Sequence, residues 1–197
     1  MTMTNTFAEF WYRPSFRPLL TAALAWILML AVPLAVANPA CEATGYVKKV
    51  GEAYDQASRS GSASVFAATA ARYTDLRSLS LFALGRYRKD LPKSREAEYL
   101  ALTRKFIGEF MVENGKGFRA SDLQVIGCIP SGGTILVDAR LSSGGKVLFR
   151  LTKAGGSYRV RDVNMRGIWL AQQLRSAFVG TISRTGSIDG LFKYLKS

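Results

Sequence analysis

An α+β fold is predicted by three features of this 197-residue sequence. Apolar residues recur at helical spacing from about Ala43 to Asn114, alternate with period two from Leu123 to Val163, and return to helical spacing from Ile168. Short Gly-rich segments separate the alternating stretches, which makes those stretches neighbours in an antiparallel meander. Helices, a four-stranded antiparallel sheet and further helices compose one two-layer domain.

The chain opens with Arg13 and Arg17 ahead of the apolar run Thr21-Ala-Ala-Leu-Ala-Trp-Ile-Leu-Met-Leu-Ala-Val32, and an Ala35-Val-Ala37 ending follows Pro33. A basic lead, a short apolar core and a small-x-small end are the three parts of a secretory signal peptide. The uninterrupted apolar stretch, Leu19 to Val32, is shorter than the roughly 20 residues a spanning helix needs. We expect residues 1–37 to be a cleaved signal peptide and residues 38–197 to form one domain. Asn38-Pro-Ala40 before Cys41 matches lipoprotein processing poorly.

Helical elements come first in the mature chain. Tyr46, Val47, Val50, Tyr54 and Ala57 mark a helix that breaks at Ser58-Arg-Ser-Gly-Ser62. A second runs from about Ala63 to Tyr73, and Asp75 is placed to cap a third carrying Leu76, Leu79, Phe82 and Ala83, which stops at Gly85. Pro92 and Ser94 introduce a long helix, about Arg95 to Asn114, with Tyr99, Leu102, Phe106 and Phe110 on its apolar stripe.

Four strands come next: Leu123–Ile129, Thr134–Leu141, Lys146–Thr152 and Tyr158–Val163. In the third, Val147, Phe149 and Leu151 make an apolar face and Leu148, Arg150 and Thr152 a mixed one, the pattern of a sheet covered on one side. A helix from Ile168 to Arg184 and a last one capped by Ser187 complete the chain.

Charge and cysteine content narrow the partners. The leader removes Arg13, Arg17 and Glu9, so 27 basic and 14 acidic residues fall to 25 and 13, a net charge of +12. An exported protein meets little nucleic acid, so we expect no nucleic-acid partner. Anionic lipid headgroups, an acidic partner surface, or plain solubility remain open. Cys41 and Cys128 are the only cysteines. In an oxidising compartment an isolated pair usually bonds, the alternative being two separate buried thiols.

Several chemistries lack their residues. The sequence has no His, the commonest general base and metal ligand. The cysteines fit no zinc spacing, and no Gly-rich segment ends in Gly-Lys-Ser/Thr. Neither metal nor cofactor is expected. Asp162, on a strand, is the one carboxylate weighed as a proton-abstracting base, against a structural hydrogen-bonding role.

Two stretches carry a resemblance. Ala83-Leu-Gly-Arg-Tyr-Arg-Lys-Asp-Leu-Pro92 is one; the other comprises Tyr158-Arg-Val-Arg-Asp-Val-Asn-Met-Arg-Gly-Ile-Trp-Leu170, Arg175-Ser-Ala-Phe178 and Gly186-Ser-Ile-Asp-Gly-Leu191. In order and spacing, over roughly Phe66 to Leu195, they resemble the MlaC family of phospholipid-shuttling proteins. Arg166 and Trp169 depart from it, where the family often has Glu and Ser.

The resemblance implies a cone-shaped domain like nuclear transport factor 2, with extra helices enclosing an apolar pocket for acyl chains. It also implies a periplasmic lipid carrier moving phospholipid between an inner-membrane ABC transporter complex and an outer-membrane lipoprotein complex. Hopanoid-associated relatives share the pattern, so the lipid is open. Phe82, Tyr87, Phe106, Phe110, Val137, Phe149, Leu151 and Trp169 are the candidate pocket residues, each of which equally suits a filled core. Two other functions compete: an enzyme on the same fold using Asp162, and a structural protein that binds another protein through its basic face.

Overall fold

The structure, a computed structural model, describes residues 41–115 and 117–197. The expected signal peptide lies outside the described residues. Among the described residues six α-helices accompany one sheet: α1 (Thr44–Ser60), α2 (Ala63–Tyr73), α3 (Leu76–Ala83) and α4 (Glu96–Asn114) precede it, and α5 (Leu170–Thr185) and α6 (Ile188–Lys196) come after it. The sheet comprises β1 (Leu123–Ser131), β2 (Thr134–Leu141), β3 (Lys146–Ala154), β4 (Ser157–Met165) and β5 (Ile168–Trp169).

Local sequence accounts for most boundaries. The Asp75 side chain accepts from the Ser78 N–H at 3.1 Å and starts α3, and Ser187 does the same for α6 through the Gly190 N–H. Beyond α3 the chain tightens into a 3-10 segment, Gly85–Asp90, and a second one, Lys93–Arg95, leads into α4. Gly108 lets α4 press against α2: a Cβ there would stand 2.3 Å from the Ala63 carbonyl oxygen, so only Gly permits this approach.

Strand order follows chain order, β1-β2-β3-β4-β5, and every pairing is antiparallel. The expected meander is present, but the sheet has five strands and not four. Ile168 and Trp169, expected to open the last long helix, instead turn back and pair with Met165 and Asn164. The turn between them places Arg166 at φ 53° and Gly167 at φ 84°, both in the left-handed region that a tight two-residue hairpin demands.

The apolar interior falls into two clusters. One joins the sheet to α1: Val47 and Val50 pack with Val137, Ala139, Val147, Phe149, Leu151 and Val160. The other is helical, with Leu79, Leu84, Tyr99, Ile107, Leu174, Phe178, Ile182 and Leu191 buried together. α2 belongs to both, since Ala70 lies in the helical cluster and Tyr73 in the sheet cluster. The Tyr46 hydroxyl donates to the Tyr73 carbonyl at 2.9 Å and ties α1 to the end of α2. Cys41 and Cys128 are joined in a disulfide, with Cα atoms 5.3 Å apart, linking the residues before α1 to β1.

Candidate functional site

Register decides which side chains share a face of the sheet. Ile135, Val137 and Ala139 of β2 stand opposite Leu151, Phe149 and Val147 of β3, and Val163 and Val160 of β4 continue the same rows. All of these are apolar, and α1 lies over them. Val137 and Leu151 have no exposed surface. The mixed character expected for the opposite face holds: Asp138 pairs with Leu148, Arg150 with Asp162, and Asn164 with Trp169.

The eight candidate pocket residues do not converge on one cavity. Val137, Phe149 and Leu151 are together in the sheet cluster. Phe106 packs against the helical cluster, its ring 5.6 Å from that of Phe178 and 5.8 Å from that of Tyr194. Phe110 is half-buried on the same helix, α4. Tyr87 packs at the margin of the helical cluster, and Phe82 is 41% exposed. Trp169 lies on the sheet face opposite Phe149, under the Arg150 guanidinium at 4.3 Å.

Asp162 has a structural occupation. Its Oδ1 accepts from the Val163 N–H at 2.9 Å and from the Ala171 N–H at 3.0 Å. Trp169, the residue before α5, offers no capping side chain, so a carboxylate from β4 satisfies a first-turn N–H that the helix leaves open. Burial raises the Asp162 carboxyl above its ordinary pKa, while the two N–H groups and nearby Arg150 oppose that rise. Asp55 is the contrasting case: hydrogen bonds from Arg59 and the Ala120 N–H lower its carboxyl to about 2.

Two grooves indent the surface around α1. One, of about 460 Å³, runs between α1 and α2 past Ala53, Val65, Ala68 and Thr69 and reaches Tyr73, a member of the sheet cluster. It had no counterpart among the sequence candidates, because small residues on two helices give no apolar stripe. The other, of about 520 Å³, is polar, with Lys48 on one side and Arg140 on the other. Among the described residues there is no group of three or more His, Cys, Asp or Glu able to hold a metal. No helix among them is long and apolar enough to cross a membrane.

Comparison with known proteins places the chain. A family model described as MlaC protein matches residues 46–197. The structure is similar to that of the phospholipid-binding protein from Ralstonia solanacearum in complex with a phospholipid, with a TM-score of 0.64 and 17% sequence identity. That alignment covers 78% of this chain and 94% of the other. No curated protein matches the sequence.

Proposed function

The chain belongs to the MlaC family, and on that footing we propose that it binds phospholipid and carries it through the periplasm. The observation that carries the reading is the inner face of the sheet. Its rows through Val147, Phe149 and Leu151 are apolar, it is roofed by α1, and the groove between α1 and α2 leads to its margin at Tyr73. An acyl chain entering there requires α1 to shift from the sheet and then replaces the contacts α1 gives up. Val137, Phe149 and Leu151 are the side chains we assign to that contact.

Apolar burial supplies the affinity. At about 0.8 kcal/mol per buried methylene, an acyl chain of about fifteen methylenes gains on the order of 12 kcal/mol on leaving water. No specific headgroup chemistry is needed to hold it. In this reading the sheet is the wall of a cone resembling nuclear transport factor 2. The protein is a binding protein and not an enzyme, and Asp162 serves the fold. Loading and delivery occur at an inner-membrane ABC transporter complex and an outer-membrane lipoprotein complex.

Native mass spectrometry and organic extraction of protein purified from a periplasmic fraction test the proposal. We expect a phospholipid to accompany the folded chain. Extracts without lipid, even after incubation with phospholipid vesicles, overturn it. A polycyclic lipid in place of phospholipid moves the assignment to the hopanoid-associated relatives.

A further inference from the structure

The 3-10 segment after α3, Gly-Arg-Tyr-Arg-Lys-Asp, gathers three exposed cations against one carboxylate, Asp90. Arg86, Arg88 and Lys89 lie within four residues on it, and α5 brings Arg175 to the same place. A Cβ on Gly85 would stand 3.0 Å from Arg175 Nε, and Gly85 has φ 53°, a left-handed conformation that favours glycine, so the α5 side chain packs closely on the turn. The Arg175 guanidinium sits over the Phe82 ring at 5.3 Å and that of Arg86 over the Tyr87 ring at 5.0 Å. The Tyr87 hydroxyl, 3.1 Å from Ser183 Oγ, fixes the segment to α5. Elsewhere Arg59, Arg77, Arg95, Lys105 and Lys146 have carboxylate partners. Among the described residues Arg86, Arg88, Lys89 and Arg175 have none; Lys48, Lys49 and Arg140 have none either, and what sets the first four apart is their clustering beside Phe82 and Tyr87.

We propose that this patch seats the protein on an anionic phospholipid surface. The proposal rests on the carrier reading, since a carrier that loads and delivers at membrane-embedded complexes works against the bilayer surface around them. Arg86 Nη2 donates to the Tyr87 hydroxyl at 3.0 Å and its other N–H groups face outward, whereas Arg175 over Phe82 keeps an N–H edge that matches two phosphate oxygens at once. Phe82 and Tyr87 place aromatic surface beside those edges, the combination suited to the headgroup level of a membrane. A lipid surface fits better than an acidic protein: the exposed apolar area is one Phe and part of one Tyr, too little for the central buried anchors of a stable protein interface. The cations line up instead with a surface whose negative charge is continuous.

Flotation with vesicles of phosphatidylcholine, with and without phosphatidylglycerol, tests this using the mature protein. We expect binding only with phosphatidylglycerol, abolished by high salt. The triple variant Arg86→Glu, Arg88→Glu, Lys89→Glu should lower it at least about tenfold. These side chains lie on an exposed turn, and the matching Gln triple, which adds no repulsion, should still lose binding several-fold. Phe82→Ser alone should weaken it. Reversing three cations elsewhere, Lys48→Glu, Lys49→Glu, Arg140→Glu, should leave most binding intact. Equal losses in both charge-reversed triples overturn the patch in favour of net charge. Absence of vesicle binding overturns it too, as does a patch variant that loses capture by an acidic protein while still floating with vesicles. Extracted phospholipid, measured on each protein, keeps the two proposals apart: wild type that holds lipid but ignores vesicles sinks the patch alone, and wild type that floats through the patch but holds no lipid sinks the cargo alone.

Discussion

Asp162 was legible in the sequence as a carboxylate on a strand, and the sequence left base and hydrogen-bond acceptor both open. What it did not contain was the partner, the Ala171 N–H, nine residues away and across a hairpin whose second strand is only two residues long. Helix capping is usually read from the residue just before the helix, and here that residue is Trp169. The acceptor role gives a clear expectation. Asp162→Ala leaves two N–H groups without their acceptor and should cost about 1–3 kcal/mol. Asp162→Asn keeps an oxygen for them and should retain most of the stability, while bound lipid stays unchanged in both. Thermal melting and lipid content measure this; a tolerated alanine would remove the capping role. Trp169 is the residue whose setting differs most from expectation. It was expected within the start of the last long helix, whereas it pairs with Asn164 in β5 and lies beneath Arg150.

At the scale of elements, the Gly-Gly turns carried the topology. Paired glycines at 132–133 and 155–156 all have positive φ, and such turns join only adjacent antiparallel strands, so strand order came from spacing alone. β5 was missed for the opposite reason: two residues cannot display a period, and Ile168-Trp169 runs on into the helical pattern of α5. Cys41 and Cys128 were legible as a pair only through the export signal, since 87 residues separate them and no spacing rule applies. In the structure the bond pins the start of α1 beside β1, holding the roof of the sheet at one end. In the chain-entropy account a closed loop of this length stabilises by about 4–5 kcal/mol. Cys41→Ser should therefore lower the melting temperature markedly, and reducing agent should do the same to wild type but not to the variant. Non-reducing mass analysis after alkylation should find no free thiol in wild type; two alkylated cysteines would contradict the bond.

For the whole molecule, periodicity identified which side chains are apolar but not which of them meet. Val137, Phe149 and Leu151 were found together because alternation on adjacent strands fixes a shared face once register is set. Phe106 and Phe82 look the same in sequence, as apolar positions on helices, yet one is packed in the helical cluster and the other lies at the surface beside Arg175. That difference depends on how α3, α4 and α5 pack, which a single helix's stripe does not encode. The sheet face is where core and cargo site compete, and Val137→Trp separates them. Val137 is fully buried and stands between Cys128 and Phe149 in the register. If α1 is a fixed roof over ordinary core, the larger ring overpacks the cluster at a cost of typically about 1–3 kcal/mol, and lipid content is unaffected. If α1 gives way to acyl chains, the ring occupies the space they would take. The variant should then emerge with strongly reduced lipid, and after delipidation it should melt close to delipidated wild type. The comparison must be made on delipidated protein, because a ligand bound only to the folded state raises the melting temperature by itself. A large drop in melting temperature with unchanged lipid would place the cargo away from Val137 and leave the sheet face as core.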